Sequence, residues 1–286
     1  MKPKIICEIG CNHLGDIKIA KKMIKIAKEF CNVDVVKFQK RCPKELLSKE
    51  EYNKPHPVPH NSYGSSYGEH REFLEFSLEQ NAELKEFCQK NNVEYSTSVW
   101  DLTSAKEIVS LGPKMIKIPS AVNNNYELLE WICKNYKGEI HISLGMTYKE
   151  EEDKIINIAQ KTKKINNVVL YHCVSGYPVL VEDLYLIEIK NLIKKYRNDV
   201  KGIGFSGHHT GIAADISALT LGATYFERHF TLDRTWKGTD HAASLEPDGL
   251  RRLVRDLKSV NKALKSKTKE VLDIEEFQRK KLKFSP

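Results

Sequence analysis

At 286 residues, with 41% hydrophobic and 29% charged residues, the chain has the composition of a water-soluble globular protein with ample apolar surface for a core. No run approaches the ~20 apolar residues of a membrane span, and Glu8 breaks the short apolar start too early for a signal peptide, so a cytoplasmic protein with no membrane partner is expected. The net charge of +8 sits mostly in residues 251–286, which hold 12 Lys/Arg against 5 Asp/Glu; this reads as a solvated tail and not as a nucleic-acid surface. Seven cysteines without a CxxC pair argue against a disulfide framework or a zinc site and fit reduced thiols.

Along the chain, short β-branched or apolar runs alternate with longer amphipathic stretches. The predicted strands are residues 4–9, 33–38, 93–98, 115–118, 139–144, 168–172, 200–205 and 224–228. Predicted helices lie between and after them, at 17–30, 71–91, 103–111, 126–136, 150–163, 185–196, 212–221 and 248–264, the last entered through Glu246-Pro247. Eight strand-then-helix units without consecutive strands predict a parallel sheet with helical crossovers. The dinucleotide signature of an open doubly wound sheet is missing, because Gly10-Cys-Asn-His-Leu-Gly15 has the wrong spacing. An α/β fold of the (β/α)8 TIM barrel type is therefore expected, with the catalytic barrel over 1–265 and a basic C-terminal tail over 266–286. Between Lys40 and Arg71 runs a long segment with four prolines, expected to be a functional loop or lid on the catalytic rim.

Polar residues collect where strands end and active-site loops begin. Glu8 ends the first strand, Lys37 and Gln39 the second, Thr97 lies on the third, Lys117 and Ser120 end the fourth, and Ser143 lies on the fifth. His172 and Ser175 follow the sixth, Ser206 and His208 the seventh, and His229 the eighth. Any one of these has an ordinary explanation, such as a lysine reaching water or a hydroxyl capping a helix. Together, two lysines and several hydroxyls at one mouth describe an anion site, and His208 with His229 describes a two-histidine metal site with open positions.

At these residues the chain resembles the sialic acid synthase family, which joins phosphoenolpyruvate to an N-acylmannosamine-type sugar. The matching segments include Glu8-Ile-Gly-Cys-Asn-His-Leu-Gly-Asp16, Val36-Lys-Phe-Gln39, Lys117-Ile-Pro-Ser120, Ser143-Leu-Gly-Met146 and His172-Cys-Val-Ser-Gly-Tyr-Pro178. The strongest are Gly204-Phe-Ser-Gly-His-His-Thr-Gly211 and Glu227-Arg-His-Phe-Thr-Leu-Asp233, continuing to Pro247. Some, Tyr67-Gly-Glu-His-Arg71 among them, are similar to the animal-type branch, which acts on a sugar 6-phosphate. The resemblance implies that His208 and His229 hold a divalent metal, Mn2+ or Mg2+. It implies that Lys37, Thr97, Lys117, Ser120, Ser143, Ser175 and Ser206 bind phosphoenolpyruvate, and that Gln39, Asn61, Tyr177 and Asp240 bind the sugar. Glu8, His229 and Tyr177 are then the expected catalytic groups. The implied partners are phosphoenolpyruvate and an aldose, with a homodimer as a candidate assembly.

Two departures from the family pattern stand out. Members usually read Gly-Ser-Gly-Glu/Asp after the fourth strand, where this chain reads Pro119-Ser-Ala-Val122, so a hydrocarbon is expected near the reacting carbons in place of a carboxylate. The family's small C-terminal antifreeze-like domain, which covers the partner's site, is not found before Pro286. Together they point to weak selection for an acylated sugar. Alternative readings are a Schiff-base aldolase using Lys37 or Lys117 and a non-catalytic sugar- or phosphate-binding barrel.

Overall fold

The structure, a computed structural model, describes residues 2–284. Its strands are β1 (Lys4–Gly10), β2 (Val35–Lys40), β3 (Glu94–Val99), β4 (Met115–Ile118), β5 (Glu139–Ser143), β6 (Val168–Cys173), β7 (Gly202–Gly207) and β8 (Tyr225–His229). Each pairs in parallel with its predecessor and β8 returns to β1, closing a barrel in sequence order. Helix α1 (Ile17–Lys25) continues in a wider π turn to Phe30; α2 (Pro43–Leu46), α3 (Lys49–Asn53), α4 (Tyr67–Phe73) and α5 (Leu78–Lys90) follow β2. Next come α6 (Leu102–Ser110), α7 (Tyr126–Asn135), α8 (Lys149–Lys161), α9 (Glu188–Tyr196), α10 (Ala213–Thr220) and α11 (Pro247–Ala263). The expected (β/α)8 barrel is what forms.

Alternation along each strand divides the interior in two. Ile5, Val36, Ile116, Ile140, Leu170 and Phe226 point outward into the shell shared with the helices, which holds most of the core. The intervening positions point into the barrel. Near the strand starts these are Ile6, Val35, Met115, Val169, Tyr171 and Tyr225, an apolar cluster that plugs the bottom of the lumen. Two residues further on, the same strands carry Glu8, Lys37, Lys117 and Glu227.

Three expectations need correction. The segment after β2 is not an irregular loop: α2, α3 and α4 lie in it, and sequence signals for two were present. Ser48 and Glu51 form a reciprocal capping box, and the Ser66 hydroxyl accepts from Glu69 N. The single helix expected over 71–91 is two, because α4 ends at Phe73 and Ser77 with Gln80 caps a new start. The basic tail contains a further helix, α12 (Asp273–Leu282), none of whose residues is buried.

Candidate active site

The barrel register brings distant residues side by side: Glu8 lies opposite both Lys37 and His229, Ser98 opposite Lys117, and Ser206 opposite Glu227. The result is a buried, cross-linked charge cluster. Lys37 Nζ lies 2.6 Å from Glu8 Oε2, 2.5 Å from Ser98 Oγ and 3.6 Å from Glu227 Oε1. Lys117 Nζ lies 2.5 Å from Glu227 Oε1 and donates to Ser206 Oγ at 3.4 Å.

Burial and pairing pull on each of these groups. Burial pushes the Glu227 carboxyl up, but Lys117 and Lys37 outweigh it and hold it down at about 2. For Glu8 burial prevails over Lys37, and the Glu227 charge adds to it, so its carboxyl is raised and suited to carry a proton. Lys37, between two carboxylates, is raised despite burial, whereas burial lowers Lys117.

These groups floor a cavity of about 390 Å³. Gln39, Ser120, Ser143, Ser175, Ser206, Tyr177, His208, His229 and Asp240 line its walls. Gln39 donates to Glu8 Oε1 at 3.1 Å. Ser143 Oγ is buried without a hydrogen-bond partner, a donor left over for a ligand. Gly145 explains how two hydroxyls come together: a Cβ there would sit 2.4 Å from Ser175 Oγ and 2.8 Å from Ser120 Oγ.

The two histidines face one another across the mouth, with ring centroids 5.4 Å apart and the Tyr177 ring 4.2 Å from His208. His208 Nδ1 lies 3.1 Å from Val174 O, and a carbonyl only accepts, so Nδ1 carries the proton and Nε2 keeps its lone pair. Burial pushes this imidazole down to about 3, with His229 acting the same way, so it stays neutral as a ligand must. His229 Nδ1 is buried without a hydrogen-bond partner, and Asp240 Oδ2 lies 3.8 Å from it. No group of three or more His, Cys, Asp or Glu converges for a metal among the described residues. What the pair offers is a neutral imidazole nitrogen on His208 and an unpartnered ring nitrogen on His229, the donor chemistry that a divalent ion could use.

Four expected positions lie elsewhere. Thr97 faces outward: its hydroxyl donates to Tyr95 at 2.7 Å, and Tyr95 donates in turn to Asn81 of α5. Strand alternation gives the lumen to Ser98, one residue later. Asn61 is not on the cavity wall; its Oδ1 accepts from Gly238 N at 3.3 Å, tying the segment after β2 to the loop after β8. Val122 packs against the core, and the residue of that turn that lines the cavity is Ala121. His172 also points away, with Nε2 2.7 Å from Leu184 O.

Glu227 opens a matching segment, but a lone carboxylate in a strand shows no role until the register places it between Lys37 and Lys117. Ser98 was legible by counting in twos from Ser96. Arg41, His56, Tyr67, His70, Arg71 and Trp100 form the outer wall and come from the segment after β2 and the end of β3; Tyr67, His70 and Arg71 stand in the Tyr67-Gly-Glu-His-Arg71 stretch, and the other three carry no motif.

Comparison with known proteins agrees with this geometry. Residues 23–269 match the NeuB family. The chain is 40% identical over 272 residues to N-acetylneuraminate-9-phosphate synthase of Mus musculus, covering 95% of this chain and 74% of the relative. It is 34% identical to N,N'-diacetyllegionaminic acid synthase of Campylobacter jejuni, covering 92% and 78%. The crystal structure of N-acetylneuraminic acid (sialic acid) synthetase from Leptospira borgpetersenii, in complex with citrate, superposes with a TM-score of 0.83 at 28% identity, covering 99% of this chain and 93% of that one. The chain thus belongs to the NeuB family and is an enzyme of the sialic acid synthase kind.

Proposed function

We propose that this enzyme condenses phosphoenolpyruvate with an aldose of the N-acylmannosamine type, or a related aldose, to give a 2-keto-3-deoxy sugar acid and phosphate. The observation that carries the reading is one cavity in which two buried lysines and a set of hydroxyls face the histidine pair. The lysines and Ser98, Ser120, Ser143, Ser175 and Ser206 hold the carboxylate and phosphate of phosphoenolpyruvate. Gln39, Tyr177 and Asp240 orient the aldose.

The chemical problem is to make an enol ester attack an aldehyde carbon. A divalent metal on His208 and His229, Mn2+ or Mg2+, supplies Lewis-acid polarisation of the aldehyde oxygen when bound. C3 of phosphoenolpyruvate forms the new bond, water adds at C2, and phosphate leaves by C–O cleavage. Lys37 and Lys117 stabilise the anionic charge throughout, fixed in place before reaction by Glu8 and Glu227. Glu8, raised by burial, passes a proton to the aldehyde oxygen and recovers one from the attacking water.

The direct test is phosphate release from phosphoenolpyruvate with a panel of aldoses, with and without divalent metal. Release should require the aldose and the metal together; release with neither, or no release with any aldose, contradicts the reading. The lowered Lys117 favours one rival, a Schiff-base aldolase. Its ammonium is ion-paired to Glu227, so borohydride with substrate should trap no adduct.

A further inference from the structure

Behind the histidine pair, on the outer side of the barrel wall, lies a second buried charge cluster that the proposed chemistry does not use. β8 alternates so that Glu227 and His229 line the cavity while Arg228, between them, points away from it. Arg228 is among the largest side chains that are fully buried. Asp215 of α10 neutralises it, with Arg228 Nη1 2.5 Å from Asp215 Oδ2. The same guanidinium grips the backbone that follows β7. Nη1 donates to Gly211 O at 2.9 Å and Nη2 to His209 O at 2.5 Å, and Nη1 also lies 3.1 Å from His209 Nε2.

Those carbonyls follow directly on His208. Its own carbonyl accepts from Val179 N at 3.1 Å, where Val179 and His209 form an isolated parallel bridge. One side chain from the strand that carries His229 thus fixes the segment that carries His208. Stability is a poor reason for such a device, since a buried ion pair gains little over hydrocarbon of like volume. The cluster is costly even as built: Arg228 Nε, Asp215 Oδ1 and His209 Nδ1 are buried without hydrogen-bond partners. What a rigid, planar fork does well is to set the distance between two backbones.

Resting on the reading of His208 and His229 as metal ligands, we infer that Arg228 is a positioning residue, held by Asp215, that sets the separation and aim of the two imidazoles. The rings stand 5.4 Å apart, and the clamp acts on that spacing from behind the wall. It touches neither the metal nor a substrate. Its loss is therefore felt as a slackened loop and a weaker metal site, not as a missing ligand.

The test needs no turnover. It uses the full chain with Mn2+ as the probe, followed by the paramagnetic resonance signal of the free ion, and amide hydrogen exchange of residues 174–180 and 207–212. Arg228→Lys keeps a charge beside Asp215 but cannot span both carbonyls. It should weaken Mn2+ binding by roughly tenfold or more and speed exchange in those two segments alone. Arg228→Met combined with Asp215→Asn leaves no buried charge, so it should resist denaturant better than Arg228→Met by itself yet bind Mn2+ no better. Native Mn2+ affinity in Arg228→Lys, or affinity that returns with stability in the double variant, overturns the positioning role. Mn2+ binding indifferent to His208→Ala contradicts the histidine reading instead; the exchange data then decide the clamp by themselves, and unchanged exchange in both segments overturns it.

Discussion

The two levels of the barrel lumen are built by the same strands and differ completely in character. At the lower level Ile6, Val35, Met115 and Val169 meet in an apolar plug; two residues later Glu8, Lys37 and Lys117 stand in the same columns. The lower level fixes the strands, and the upper level uses that rigidity to hold four ionisable groups whose desolvation would otherwise favour collapse or neutralisation. Chemistry here is placed one pleat above a packed floor.

Breaking the upper level at its mouth should have the largest effect. His208→Ala or His229→Ala should abolish detectable turnover with the fold retained by circular dichroism, and a chelator should do the same reversibly. Full activity of metal-free protein would remove the histidine pair from the account.

Breaking the floor should affect stability alone. Met115 is fully buried, so Met115→Ala should cost about 2–5 kcal/mol in chemical denaturation, with kcat/KM changed far less than by a histidine variant. A selective loss of activity at full stability would mean that the plug takes part in the chemistry.

Breaking the charge network should cost stability in a pH-dependent way. Lys117→Met strips Glu227 of its nearest cation, and losing one partner of a buried pair costs about 3–5 kcal/mol. In the native protein Glu227 is held down from 4.5 to about 2, so its contribution is fully present above its ordinary value and is lost as pH falls toward 2. The gap between variant and native protein should therefore be full at about pH 7 and narrow as pH falls below about 4.5. A gap that widens on acidification would show that Glu227 is not the group left uncompensated.

The smallest and sharpest contrast is between neighbours on β3. Ser98→Ala removes a hydroxyl 2.5 Å from Lys37 Nζ and should weaken phosphoenolpyruvate binding by roughly tenfold. Thr97→Val should leave binding alone and cost about 1 kcal/mol of stability, through its lost bond to Tyr95. The reverse result would invert the strand's facing.

That pair also marks how far the sequence could be read. Barrel count, strand order and most of the polar residues that line the cavity were legible, because eight strand-helix units admit few architectures and costly polar residues at strand ends are conspicuous. Facing was lost at Thr97, since in a strand buried on both sides hydrophobicity does not alternate and a hydroxyl on either face looks alike. The role of Glu227 was not legible, because its meaning lies in a partner brought to it by closure: Lys117 stands 110 residues away. Val122 was misplaced because a resemblance aligns positions without fixing the turn of a short 3-10 segment.

The central claim is that the upper level of the lumen is the phosphoenolpyruvate site. Calorimetric titration of phosphoenolpyruvate into the native protein, Lys37→Ala and Lys117→Ala measures it most directly. The account predicts that each variant loses a few kcal/mol of binding, about a hundredfold or more in affinity, while the aldose is affected less. Unchanged phosphoenolpyruvate affinity in both variants would contradict it.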